Sequence, residues 1–137
     1  MDHDSRQSIV LLVEGKHAKQ YGSKPHIEEL GAVCAATHTL TGADTLLQHF
    51  VPDVVVIDYE LSDGSGIEYI SKLRQNPLHR ATPIILLTGD IHPSELERAV
   101  MMGIYAFIAR PFRSEEFQKL VGAAISDSAE RVRRRGH

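Results

Sequence analysis

Four apolar runs in this chain each end on a residue that could do chemistry. The run V-V-V-I over 54–57 ends at Asp58. Ile9–Val13 leads into Glu14-Gly15, 84–87 into Thr88-Gly89-Asp90, and Ala106–Ala109 into Arg110-Pro111-Phe112. Two carboxylates, a hydroxyl and a permanent cation form a mixed-charge set suited to a polar ligand. Any one of them is commonplace in a loop. Parallel strands would carry all four into one crevice, because open parallel sheets bind ligands at the carboxyl ends of their strands.

The elements that must position them alternate along the chain. Short apolar runs bounded by turn residues mark strands buried on both faces. They predict strands over 8–13, 32–36, 54–57, 83–87 and 106–109. Helical stretches lie between. Thr41-Gly42-Ala43-Asp44 opens one that runs through Phe50. Ser65-Gly66-Ile67-Glu68 reads as a capping box, with Ile67, Ile70 and Leu73 on one face. Ser94-Glu95-Leu96-Glu97 reads as another, stopped by Gly103, and Ser114 caps a last helix running toward Arg135. The first helix is weakened by Gly22, Ser23 and Pro25, so 15–22 reads as loop or one loose turn before a short helix from Ser23 or Lys24 to Leu30. Five βα units imply an α/β fold, a doubly wound parallel sheet with helices on both faces.

These residues resemble the receiver domains of two-component response regulators (CheY-like). The resemblance covers Ile9 to about Ile125. It rests on Glu14 after the first strand, the central Asp58, Gly66 eight residues later, Thr88, the aromatic Phe107 and Arg110-Pro111-Phe112. It implies a five-stranded, flavodoxin-like (βα)5 sheet of order 2-1-3-4-5. It implies that Asp58 is the phosphoacceptor, that Thr88 and Arg110 contact the phosphoryl group, and that Thr88 and Phe107 form the switch. It also implies a divalent metal, usually magnesium, at Glu14, Asp58 and Glu60. A carboxylate attacking an anionic phosphoryl group needs its repulsion screened, and a metal plus a cation supplies that.

Two residues depart from the family pattern. Gly15 stands where the second acid of the usual acidic pair belongs, so magnesium binding is expected to be weak. Arg110 replaces the family lysine. A guanidinium forks toward carboxylates bidentately, so Arg110 either holds Asp58 in a standing ion pair or contacts a phosphoryl group. Glu60 could lend a carboxylate in place of Gly15. Two functional readings follow. The first is a receiver taking a phosphoryl group on Asp58 from a histidine kinase or phosphotransfer protein and switching contacts with a downstream partner. The second is a pseudo-receiver, a protein-binding module independent of phosphorylation. Neither is a turnover enzyme, and no G-x-G-x-x-G follows the first strand to support a dinucleotide cofactor.

Size and composition agree. The 137 residues suit one domain, with a core over about 8–125 and a C-terminal helix extension or tail over 126–137. The net charge of -3 does not suggest direct nucleic-acid binding. No apolar run approaches the length of a membrane span and no leader pattern opens the chain, so the expected location is cytoplasmic. Cys34, the lone cysteine, reads as a small core residue. The eight histidines include no ligand pair and read as scattered surface residues. On the last helix Phe117, Leu120, Val121, Ala124 and Ile125 form an apolar stripe that Ala129 and Val132 continue. With the segments 94–102 and 106–109, that helix is expected to form a weak homodimer face.

Overall fold

The computed structural model describes residues 7–15 and 22–135. Five strands, β1 (Ile9–Val13), β2 (Val33–Thr37), β3 (Val54–Asp58), β4 (Ile84–Thr88) and β5 (Ala106–Ala109), form one sheet. All its pairings are parallel, in the order 2-1-3-4-5. The helices are α1 (Ser23–Glu28), α2 (Leu40–Leu47), α3 (Gly66–Gln75), α4 (Pro93–Met101) and α5 (Ser114–Arg135). A two-residue ribbon, Glu60–Leu61 against Gly64–Ser65, links β3 to α3.

The period-two geometry of a strand splits each apolar run between two cores. Val10, Leu12, Val54, Val56, Ile85 and Leu87 pack on one face with Ile27 of α1 and Phe117, Val121 and Ala124 of α5. Leu11, Val13, Val55, Ile57, Ile84 and Leu86 pack on the other with α2, α3 and α4. Every residue of β3 and β4 is buried, which is why those runs lack polar alternation. Each fully buried Leu or Ile contributes about 2 kcal/mol by removing apolar surface from water. Cys34 is buried in the first core, and burial pushes its thiol up to about 12.

Strand bounds agree with expectation within a residue, whereas the caps differ. The α2 helix begins at Leu40, not Thr41, because the Thr39 hydroxyl accepts the Gly42 N–H at 2.9 Å. Thr41 instead turns its N–H and hydroxyl to Asp63. At α4 the cap is His92 rather than Ser94: its Nδ1 accepts the Ser94 N–H, with Pro93 in the first turn. Ser65 caps α3 as expected, accepting from Ile67 and Glu68 N–H. Glu68 does not complete the box, since its carboxylate takes Arg98 of α4 at 2.7 Å. The short α1 carries Pro25 in its first turn and ends at Glu28, two residues early. Of the expected loop at 15–22, positions 16–21 lie outside the described residues.

Two surface expectations also change. The stripe on α5 continues through Ser128, which is buried, while Ala129 is exposed. A serine was unreadable as part of an apolar stripe, yet it falls four residues after Ala124 on the same face. His79 is buried too, so the histidines are not all superficial.

Candidate functional site

Parallel register decides which strand ends meet. Asp58 ends β3 in the middle of the sheet, beside Leu87 of β4. Glu14 follows β1 on its other side, its N–H donating to the Thr37 carbonyl at 3.0 Å. Arg110 follows β5, with its N–H on the Thr88 carbonyl at 2.7 Å, and its long side chain crosses β4 to reach both acids. The Arg110–Pro111 peptide bond is cis. Gly66 holds the pocket's floor close: a Cβ there would stand 2.0 Å from the Asp58 carbonyl oxygen, so only glycine fits.

The pocket is an ion triad. Asp58 is 2% exposed and Glu14 is 7% exposed. One Arg110 terminal nitrogen donates to Asp58 Oδ1. The other donates to Glu14 Oε2 at 3.2 Å. The sequence suggests a bidentate hold on Asp58. Instead the guanidinium splits its fork between the two acids. The reason is local: Gly15 N–H already donates to Asp58 Oδ2 at 2.6 Å. Arg110 Nε–H is buried with no acceptor among the described residues.

Three supports escaped the sequence. Ser23, fully buried at the start of α1, donates its hydroxyl to Glu14 Oε2 at 2.6 Å and its N–H to Oε1 at 3.3 Å. Glu14 thus caps α1 as well as pairing with Arg110. His38 Nδ1 bonds the Glu14 carbonyl oxygen at 2.8 Å. The Gly15 amide is the third. Its sequence signal was the lack of a side chain, which says nothing of where its N–H points.

The other expected site residues stand further off. Thr88 is buried at the end of β4, but its hydroxyl donates to the Ile108 carbonyl at 3.4 Å rather than to Asp58. Phe107 is 45% exposed on β5, and Val100, Met101 and Tyr105, on or just after α4, are exposed as well. Glu60 sits exposed on the ribbon, lining a hollow with Glu68, Glu95 and Arg98. It makes no ion pair or hydrogen bond to the Asp58 pocket among the described residues.

Sheet order and strand-end pocket define a doubly wound α/β signalling fold of the flavodoxin-like kind. The chain matches the response regulator receiver domain family over residues 10–122, and it belongs to that family. Such domains serve two-component signal transduction and are not turnover enzymes. The phosphate regulon transcriptional regulatory protein PhoB of Rhizobium meliloti (strain 1021) is 35% identical over 83 residues, 61% of this chain and 37% of that protein. The KDP operon transcriptional regulatory protein KdpE of Escherichia coli (strain K12) is 29% identical over 85% of this chain and 50% of its own length. The chain therefore spans half or less of these curated relatives. Among solved structures, a CheY-like receiver domain protein from Methanospirillum hungatei JF-1 superposes with a TM-score of 0.82 at 17% identity, covering 92% of this chain and 99% of its own. The receiver domain of the sensor histidine kinase PA1611 from Pseudomonas aeruginosa PAO1 has a TM-score of 0.76 at 22% identity, covering 88% and 99%. It holds a magnesium ion in its active-site cleft.

The residues here do not fit that ion as arranged. Magnesium needs near-octahedral oxygen ligands at about 2.0–2.1 Å. All four carboxylate oxygens of Glu14 and Asp58 already accept hydrogen bonds from Gly15, Ser23 or Arg110. No group of three or more His, Cys, Asp or Glu is placed to hold a metal among the described residues. No helix of the described residues is long and apolar enough to cross a membrane.

Proposed function

We propose that this chain is a receiver that takes a phosphoryl group on Asp58 from the phosphohistidine of a histidine kinase or phosphotransfer protein. The observation that carries this reading is the direct pairing of buried Asp58 with the strand-end cation Arg110. A carboxylate oxygen of Asp58 bonds to phosphorus as the phosphorus–nitrogen bond breaks. The imidazole leaves with that electron pair and takes a proton from solvent. Arg110 is the positive charge beside the transferring group, and its unused Nε–H offers a further donor to the added oxygens. Magnesium binds weakly in this reading: Gly15 supplies no carboxylate, Glu60 stands apart, and Arg110 already pairs with both acids. The added charge then alters contacts made through the exposed Val100, Met101, Tyr105 and Phe107 with a downstream protein or a second copy.

The test is incubation with acetyl phosphate, with and without magnesium, followed by intact mass. One phosphoryl adduct, absent from Asp58→Asn, is the expected result. Sedimentation of modified against unmodified protein reads the change in contacts. A second reading, a phosphorylation-independent protein-binding module, is favoured by the engagement of all four carboxylate oxygens in hydrogen bonds within the protein. Absence of any adduct, where an ordinary receiver is modified, would select it.

A further inference from the structure

We propose that Arg110 is the resident cation of this pocket and excludes a divalent metal, so that its guanidinium, more than the missing acid at Gly15, sets metal affinity. The inference concerns the unmodified pocket and does not require Asp58 to be phosphorylated.

Donors engage all four carboxylate oxygens of Glu14 and Asp58. Asp58 Oδ2 takes the Gly15 N–H at 2.6 Å, and Oδ1 takes Arg110. Glu14 Oε1 takes the Ser23 N–H at 3.3 Å. Oε2 takes the Ser23 hydroxyl at 2.6 Å and Arg110 at 3.2 Å. A magnesium ion would have to displace several of these and then sit beside a positive guanidinium.

Charge points the same way. Two carboxylates and one guanidinium sum to a single negative charge. Added magnesium would leave the cluster with a net positive charge in a buried place, where repulsion is poorly screened. The long arginine is pinned for this role. Its side chain is 16% exposed, and its two terminal nitrogens are committed to different acids. A side chain held at both prongs cannot swing clear without breaking two charge-assisted bonds at once. A lysine has one nitrogen and no planar fork, so it could not span the two acids in this way. Restoring an acid at position 15 adds a ligand but leaves the guanidinium in place.

The experiment is a magnesium titration of the unmodified protein by calorimetry, with manganese as a second probe read by its paramagnetic signal. Thermal unfolding with and without metal accompanies it. Wild type, Gly15→Asp, Arg110→Met and Arg110→Lys are compared. The wild type is expected to show no metal-dependent shift in melting temperature in the low millimolar range. Arg110→Met, which keeps much of the apolar stem but neither the guanidinium nor its charge, should gain about tenfold or more in affinity, the scale on which groups around ligands tune metal sites. Arg110→Lys should gain less, and Gly15→Asp least. Wild-type affinity equal to that of Arg110→Met, or a larger gain from Gly15→Asp, would overturn the proposal. Should Arg110→Met fail to fold, Arg110→Lys decides: affinity unchanged from wild type overturns it. Acetyl phosphate plays no part, so a failure here is separable from a failure of the phosphoacceptor reading.

Discussion

Replacing Gly66 with alanine should destabilise the protein by about 2 kcal/mol, against the usual benefit of alanine in a helix. Gly66 opens α3, and its N–H donates back to the Tyr59 carbonyl at 2.8 Å. This bond draws the helix start onto the end of β3. An added Cβ would stand 2.0 Å from the Asp58 carbonyl oxygen, 3.0 Å from its carbon and 3.3 Å from Tyr59 Cα. Comfortable contact between heavy atoms begins at about 3.5 Å, so the backbone must open by roughly 1.5 Å. All three obstacles are backbone atoms, and none can rotate aside. Overpacking of this kind costs about 1–3 kcal/mol, and rigid obstacles place it at the upper end. Lower chain entropy and better helix propensity return at most about 1 kcal/mol. The net loss corresponds to about 7 °C in melting temperature for a chain of this size. Equilibrium urea unfolding measures it. Gly122→Ala is the control, since its added Cβ meets only Leu30 Cδ2, at 3.9 Å, and it should be neutral or mildly stabilising. A Gly66→Ala protein as stable as wild type would refute the close-approach argument.

Two further outcomes follow from half-buried Arg74 and buried His79, both away from the pocket. Arg74 sends four hydrogen bonds of 2.9 Å to the carbonyls of Met102, His79, Thr82 and Gly103, tying α3 to the segments beside β4 and β5. Arg74→Met should cost about 3 kcal/mol in urea unfolding, because partly buried carbonyls lose charged donors; a loss below about 1 kcal/mol would show that water replaces them. Burial lowers the pKa of His79, whose Nδ1 has no partner among the described residues. The unfolded chain then binds the proton more readily, so His79 lowers stability as pH falls below its ordinary value of about 6.5. His79→Phe should flatten the fall in stability between neutral pH and about pH 5; an unchanged slope would remove His79 as a source of it.

Much of the site was legible because strand ends are legible. The apolar runs before Glu14, Asp58 and Thr88 are almost wholly buried, and the edge run before Arg110, though largely exposed, also lacks polar interruption, so all four ends stand out. Parallel alternation then places those ends on one edge. Partner choice was not legible. Thr88 faces the Ile108 carbonyl, Glu60 turns away on its ribbon, and Arg110 divides its fork. The caps at Thr39 and His92 depend on where Asp63 and Pro93 fall once the chain turns.

The division between the two has a physical cause. Residue types and their period determined that this chain makes a five-stranded doubly wound sheet, since burial of alternate side chains depends on local pattern alone. They also determined that the pocket holds two acids and an arginine in place of a lysine. The tertiary structure alone decided how those charges are spent. Arg110 and Glu14 are 96 residues apart, and Ser23 and the Gly15 amide enter through the path of the chain around β1. A hydrogen bond is set by distances of a few tenths of an ångström, and only the packed strands bring those groups within reach.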